Sequence, residues 1–154
     1  ETQIRVQNGT SRPGLAGSTD TELRARGFGT IEVGNYRPVG VQGTARIRFG
    51  EAGIAAAYTL AAHVPDAIFV LDRRTDATID LILGADWNSL IPLDEVVLDP
   101  AAPLPNPPGC IDLAQALASA QPAPSPSPTP EQPEGEEPVD PGVDEGAEGE
   151  AAEG

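Results

Sequence analysis

The sequence predicts an α+β domain with a single β-sheet of about four to five strands and two helices on one face. Two observations lead to this prediction. Between residues 4 and 83, segments with the two-residue alternation of half-buried strands are interrupted twice by segments with helical spacing. The resulting order, β-α-β-β-α-β-β, fits one sheet covered by two helices, and a split β-α-β, ferredoxin-like arrangement is expected.

The second observation is a sharp change in composition along the chain. Residues 1–99 carry nine arginines, no lysine and 13 acidic residues, whereas residues 100–154 carry 11 acidic residues, no basic residue and 13 of the 17 prolines. A chain that is so polar and so rich in proline cannot bury enough apolar surface to fold. We predict a globular domain over 1–90, a partly ordered extension over 91–120, and a disordered acidic, proline-rich tail over 121–154.

The first strand and helix form the unit on which the rest of the domain is expected to pack. Ile4 and Val6 alternate with polar residues, and Asn8-Gly9 is expected to supply the positive φ angles of a sharp turn. Thr10 or Ser11 is expected to cap a helix over residues 13–26.

The remaining elements follow from the same patterns. The apolar run over residues 67–71 is typical of a central strand covered on both faces. A weaker helical pattern spans residues 111–120. The other predicted strands cover residues 28–33, 44–49 and 78–83, and the second helix covers residues 51–64.

Charge and composition exclude several classes of function. A net charge of −15 argues against nucleic acid and against anionic lipid surfaces as partners, because both are bound through basic residues. Cys110 is the only cysteine, so it cannot form a disulfide within the chain. No apolar run approaches the roughly 18–20 residues of a membrane span, so we expect no membrane insertion here. Because the chain begins at Glu1, we expect a fragment or a processed product.

Five short segments, in this order, resemble the LytR_C domain. The resemblance covers about residues 3–88 and implies an extracytoplasmic domain of a cell-envelope protein, whose parent is anchored in the membrane. LytR_C domains follow the catalytic module of many LytR-CpsA-Psr proteins of actinobacteria, and they also occur in VirR-like proteins without it. Nothing in this chain matches that module, so the resemblance implies no catalytic role. The segments are Val6-Gln7-Asn8-Gly9-Thr10, Gly14-Leu15-Ala16, Leu23-Arg24-Ala25-Arg26-Gly27-Phe28, Val33-Gly34-Asn35 and Leu83-Gly84-Ala85-Asp86-Trp87.

Arginines on the predicted sheet are the first candidate binding residues. Together with Arg73-Arg74 in the turn after residue 71, Arg5, Arg46 and Arg48 would line a patch for an anionic wall polymer, or such residues would pair with Glu32 and Asp80 across the sheet.

Three further residues have both a binding and a structural interpretation. Asn8 and Thr10 precede a helix start, where an anion can bind, although a capped turn is the simpler interpretation. Trp87 either stacks on a sugar ring or covers the core.

Titratable residues allow an enzymatic alternative. His63 is the only histidine, and a helix-end cation or a core residue is a better interpretation than a metal ligand. The carboxylates near the last hairpin are expected to be solvated in turns rather than to bind Ca²⁺. No cofactor or metal is therefore expected. The carboxylates are Asp72, Asp76, Asp80 and Asp86.

Four hypotheses for function remain open. The first is a non-catalytic accessory binding or scaffold domain that contacts wall glycopolymer, peptidoglycan or an envelope protein during cell-wall assembly. The second places the same domain in a VirR-like, membrane-anchored protein of envelope integrity. The third is a small envelope enzyme that uses Asp80, Asp86 and His63. The fourth is a folded spacer.

Overall fold

The computed structural model describes residues 3–98 and 111–124. The predicted α+β class is confirmed, and the predicted order of the first seven elements is found, with a third helix after them. The predicted tail beyond residue 124, and residues 99–110 of the predicted extension, lie outside the described residues. The strands are β1 (Gln3–Asn8), β2 (Gly29–Asn35), β3 (Ala45–Phe49), β4 (Ala67–Leu71) and β5 (Ile79–Leu83); the helices are α1 (Leu15–Ala25), α2 (Ile54–Ala61) and α3 (Leu113–Ser119).

The strands form one mixed sheet in the order β2-β1-β5-β3-β4. β1 pairs in parallel with β2, and β3 pairs in parallel with β4, so the two strands of each β-α-β unit are neighbours. The expected split, ferredoxin-like arrangement is therefore wrong, because it requires another strand between them. β5 instead joins the two units, parallel to β1 and antiparallel to β3.

The central strand is β5 rather than β4, which corrects the interpretation of residues 67–71. All five residues of β5 are buried, including Asp80. β4 is the last strand of the described sheet, and Ile68 and Phe69 are 51% and 38% exposed. The apolar run of β4 thus belongs to an edge strand. The strand that is covered on both faces is β5, and it contains a carboxylate.

The core lies between the two long helices and one face of the sheet. α1 and α2 contribute to a single cluster of buried side chains together with alternate residues of β1, β3 and β5. The predicted placement of both helices on one face is therefore confirmed. The helix residues of this cluster are Ala16 and Leu23 from α1 and Ala57 and Leu60 from α2; the sheet residues include Ile4, Val6, Ile47, Phe49, Ile79, Leu81 and Leu83.

The turn after β1 differs from the prediction in two respects. The positive φ angle falls at Gly14, which precedes α1 with φ 76°, and no side chain among the described residues caps the helix. Gly9 is needed for space: a Cβ there would lie 2.6 Å from Val41 Cγ2 and 2.7 Å from the Leu83 carbonyl oxygen. The expected role of Asn8-Gly9 in providing positive φ, and the expected cap from Thr10 or Ser11, are both wrong.

Candidate functional site

The sheet face opposite the two helices carries a linked set of six charged side chains. Arg5 is level with Glu32 on β2 and with Asp80 on β5, and Arg48 on β3 is level with Asp80. Asp72 and Arg74 follow β4 and complete the set. We call these residues the charge network, which balances three arginines against three carboxylates; its members are Arg5, Glu32, Arg48, Asp72, Arg74 and Asp80.

Arg74 is the centre of the charge network. Its Nη2 donates to Asp80 Oδ2 at 2.6 Å and to Asp72 Oδ2 at 2.7 Å, and its Nε donates to Asp72 Oδ1 at 2.9 Å. Nη1 donates to the Thr78 carbonyl oxygen at 3.0 Å. The planar guanidinium suits this forked geometry, and each of these bonds is between buried groups.

The chain around Arg74 is held close to the start of the second helical region. A Cβ on Gly50 would lie only 2.1 Å from the Arg74 carbonyl oxygen. Gly50 has φ −98° and ψ −178°, an extended conformation that any residue adopts. The close approach of two backbones, rather than backbone conformation, therefore requires glycine at this position.

Electrostatics keep the centre of the network ionised. Burial alone would raise the pKa of Asp72, but hydrogen bonds from Arg74 and the charges of Arg74 and Arg48 lower it below its ordinary value. Burial alone would lower the pKa of Arg74, but the hydrogen bonds and charges of Asp72 and Asp80 raise it above its ordinary value. The carboxylate of Asp72 is thus poorly suited to accept a proton as a general base.

The outer arginines interact more loosely. Arg5 Nε lies 3.7 Å from Glu32 Oε2, and Arg5 Nη1 lies 3.6 Å from Asp80 Oδ1. Arg48 Nη2 lies 3.6 Å from Asp72 Oδ2. Among the described groups, Asp80 Oδ1 and Arg48 Nε are buried without a hydrogen-bond partner. The alternative interpretation, in which sheet arginines pair with neighbouring carboxylates, therefore describes Arg5 and Arg48.

Arg46 differs from Arg5 and Arg48, the other two sheet arginines of the predicted patch. It lies on the same face of β3 as Arg48, level with Ile82 and beside Ile68, and it is partly exposed. Within residues 3–98 and 111–124, no carboxylate lies within ion-pair distance of it. Of the three sheet arginines in the predicted patch, Arg46 is thus the member whose charge is not balanced by a described neighbour.

Asn8 and Thr10 are engaged in the turn after β1. Asn8 Oδ1 accepts from the Thr10 N–H at 2.9 Å and from the Thr10 hydroxyl at 2.7 Å, while Asn8 Nδ2 donates to the Arg12 carbonyl oxygen. Thr10 Oγ1 in turn accepts from the Arg12 N–H at 3.1 Å. These contacts favour the structural interpretation of both residues, since they occupy the groups that an anion or sugar would contact.

Trp87 covers the core. Its side chain is 3% exposed and belongs to the same cluster as the helix residues. Arg12 Nη2 donates to its carbonyl oxygen at 2.5 Å and so joins the first turn to the end of the domain. The indole is therefore not available as an exposed platform for a sugar ring, which corrects that interpretation.

His63 is a buried core residue rather than a helix-end cation. Its ring packs edge-on against Phe28 with centroids 5.0 Å apart, and Arg26 Nη1 lies 3.3 Å from its Nδ1. Burial, and secondarily the charge of Arg26, lower the pKa of His63. Arg26 Nη1 also donates to the Ile91 carbonyl oxygen at 2.6 Å, and this hydrogen bond holds the segment after Trp87 against the domain.

The residues of the enzymatic alternative do not come together. His63 lies at the end of α2 beside Arg26 and Phe28, whereas Asp80 belongs to the charge network on the opposite face of the sheet. Asp86 is exposed in the turn after β5. In the described ranges, no three His, Cys, Asp or Glu residues are grouped as metal ligands would be.

Two of the four carboxylates that the sequence predicts to be solvated in turns are buried instead. Asp76 and Asp86 are exposed, and Asp76 Oδ1 accepts from the Thr78 N–H. Asp72 and Asp80 are buried in the charge network. The sequence predicts Arg74 only as a turn residue of the arginine patch, whereas the structure buries it between Asp72 and Asp80. The available signal was Asp80, a carboxylate inside an apolar strand that needs a buried cation.

Comparisons with known proteins give a consistent result. The family model LytR_C, described as LytR cell envelope-related transcriptional attenuator, matches residues 1–87. The cell envelope integrity protein Cei of Mycobacterium tuberculosis is 31% identical over 99 residues, which make up 62% of this chain and 46% of that protein. The chain thus spans about half the length of this curated relative.

A solved structure is similar over the same share of the chain. It is the soluble domain of a conserved hypothetical secreted protein from Mycobacterium marinum, which is 32% identical. The TM-score is 0.55, and the match covers 62% of this chain and 67% of the solved one. No helix within the described residues is both long enough and apolar enough to cross a bilayer.

Proposed function

Since the chain belongs to the LytR_C family of cell-envelope proteins, we propose that it is a non-catalytic accessory domain that binds an envelope component. The location in the cell envelope agrees with both relatives, one a cell envelope integrity protein and the other a secreted protein. The expected domain family, and its expected setting outside the cytoplasm, are confirmed at this level.

The state of the buried carboxylates is the observation that carries the proposal. Arg74 binds both Asp72 and Asp80, and the lowered pKa of Asp72 keeps it ionised. Catalytic carboxylates instead need a pKa near the working pH and access to a substrate. Buried ion pairs from Arg74 to Asp72 and Asp80 support a rigid binding surface better than a reaction centre.

The proposed contact surface is the part of the sheet around Arg46. This arginine is partly exposed beside Ile68, which is 51% exposed, so a cation lies next to apolar surface. Phosphate- or carboxylate-bearing wall glycopolymer matches this combination, because its acidic groups pair with arginine and its sugar rings cover apolar atoms. Peptidoglycan and envelope proteins are the other expected partners.

Two settings follow from the family. In one, the domain assists a LytR-CpsA-Psr protein that attaches glycopolymer to peptidoglycan. In the other, it is the folded part of a scaffold that maintains envelope integrity. The similarity to the cell envelope integrity protein Cei favours the second setting.

The proposal is tested by NMR titration of the full chain with purified anionic wall glycopolymer and with peptidoglycan fragments. We expect shifts of the Arg46 and Ile68 amides that disappear in Arg46→Glu. The matched control is Arg37→Glu, which makes the same charge change at an exposed loop position. If neither ligand shifts these amides, or if both variants weaken binding equally, the sheet surface is not the binding site.

A further inference from the structure

The segment after α3 returns to the outer edge of β4. Gln121 forms an isolated parallel bridge with Asp72, and the Arg73 N–H donates to the Gln121 carbonyl oxygen at 3.0 Å. The Asp72 N–H donates to Phe49 of β3, so the backbone groups of Arg73 point away from β3. Gln121 therefore extends the sheet by one residue on the outer side of β4. We call residues 113–122 the strap.

The strap is held mainly through its backbone carbonyl groups. Arg73 Nη2 donates to the Ala118 carbonyl oxygen at 2.9 Å, and Arg48 Nη2 lies 3.4 Å from that of Pro122. Contacts to carbonyl groups do not depend on the side chains of the strap. Any extended segment that presents carbonyl groups at this edge can make them.

The apolar attachment of the strap is weak. No residue of α3 is buried. Leu117 lines an open cavity of about 570 Å³ together with Glu51, Ala52, Arg73, Arg74 and Thr75. A seven-residue helix with so little buried surface is marginal. A competing segment therefore has little binding energy to overcome.

The sequence at the end of the strap has the period of a strand. Proline occupies every second position from Pro122 to Pro130, which gives five consecutive X-Pro pairs from residue 121. Successive residues of a strand direct their backbone groups to opposite sides. Because the backbone groups of Gln121 point towards β4, those of Pro122 point away from it. The missing N–H of proline therefore removes no hydrogen bond to β4. An X-Pro segment is thus compatible with pairing on one edge.

Side-chain alternation brings the prolines of such a segment towards aromatic surface. Partners in a parallel bridge share a face, so Gln121 lies on the face of Asp72 and Pro122 on the opposite one. Phe69 is on that opposite face, 38% exposed, and stacks on Tyr58 with centroids 4.7 Å apart. Proline-rich ligands commonly dock on aromatic side chains of this kind.

We propose that the outer edge of β4, with Phe69 and Arg73, is a docking site for an extended X-Pro segment of another polypeptide, and that the strap occupies its end in cis. The strap forms one bridge because α3 ends at Ser119, just before Gln121. A segment without this helix can pair along more of Ala67–Leu71 and replaces the strap.

The test uses the full chain and a fluorescein-labelled peptide with the sequence of residues 121–130. The control peptide has alanine in place of every proline. We expect the X-Pro peptide to shift the amides of residues 67–73 and the alanine peptide to leave them unchanged. Leu117→Ala loosens the strap and should tighten peptide binding roughly threefold, since a weaker cis competitor raises the fraction of accessible sites.

Phe69→Ala removes the aromatic contact and should weaken peptide binding roughly three- to tenfold. Arg37→Ala, in an exposed loop, is the matched control and should bind like the wild type. If Phe69→Ala does not fold, the shift map of the wild-type chain decides the question. The proposal would be overturned if both peptides bound equally, or if the amide shifts fell outside residues 67–73. Dimer formation by the wild-type chain without peptide would also overturn it.

Discussion

Arg74 Nη2 lies 2.6 Å from Asp80 Oδ2, so the middle strand of the sheet is joined to the turn before it by an ion pair. Both side chains are 3% exposed. The same guanidinium also binds Asp72, which has no exposed surface. A sheet whose centre holds a charged group depends on Asp72, Arg74 and Asp80 being present together, since each neutralises another in a dry environment.

Arg74→Met should lower the free energy of unfolding by about 3–5 kcal/mol, because it leaves two buried carboxylates without the cation that hydrogen-bonds to them. Urea denaturation of the full chain measures the loss. Arg73→Met makes the same change one residue earlier, at an exposed position, and should cost no more than about 1 kcal/mol. A similar loss for both variants would mean that the charge network contributes little to stability.

The element boundaries were predictable, but the order of the strands was not. Periodicity placed β4 and β5 to within one residue, because side-chain alternation is a local property. Position in the sheet depends on pairing with distant strands. The apolar run of β4 therefore suggests a central strand. β5 is the central strand, but it contains the charged residue Asp80, which makes its sequence look less buried than it is. The charge of Asp80 is balanced by Arg74 and Arg5.

The candidate residues show the same limit. Their types suggested binding chemistry, yet what each side chain does depends on neighbours that are far apart in sequence. Arg5 pairs with Asp80 on β5, Arg48 pairs with Asp72 after β4, and the Trp87 carbonyl oxygen accepts a hydrogen bond from Arg12, 75 residues earlier. The sequence suggests a conformational role for Gly9, but only the fold shows that Val41 and Leu83 leave no room for a side chain there.

His63 should make stability depend on pH just below neutrality. The folded state holds its pKa below the ordinary 6.5, so the unfolded chain binds more protons once the pH falls through 6.5. The free energy of unfolding should then fall with decreasing pH, by at most about 1.4 kcal/mol per unit, until the folded-state pKa is reached.

This dependence is measured by urea denaturation at several values between about pH 7.5 and 5, with His63→Gln as the comparison. The variant should lack the slope. Asp72 and Asp76 also have lowered pKa values, but their contribution is lost only below their ordinary 3.8 and does not enter this window. An NMR titration of the only histidine that gave a pKa above 6.5 would contradict the prediction.

Gly50→Ala should destabilise the domain through a steric clash alone. The new Cβ would lie 2.1 Å from the Arg74 carbonyl oxygen, although the backbone conformation at Gly50 suits alanine. Overpacking of this kind typically costs about 1–3 kcal/mol. The matched control is Gly17→Ala in α1, whose new Cβ meets no atom of the described residues within 4 Å and should stabilise the helix by about 0.5–1 kcal/mol.

Both substitutions restrict the unfolded chain equally, so the difference between them isolates the contact with Arg74. Thermal unfolding of the two variants gives that difference directly. Equal melting temperatures would show that the segment before α2 can move away from Arg74 at no cost.

Arg12→Ala should loosen the end of the domain around Trp87. The lost hydrogen bond joins Arg12 Nη2 to the Trp87 carbonyl oxygen, and we expect a cost of about 1 kcal/mol because Arg12 is largely exposed. Trp87 is the only tryptophan, so acrylamide quenching of its fluorescence reports on this contact and should increase. Arg37→Ala is the control and should quench like the wild type.

Because Trp87 is buried rather than displayed, wall fragments should leave its emission unchanged, and a ligand-induced blue shift would restore it as a sugar-binding residue.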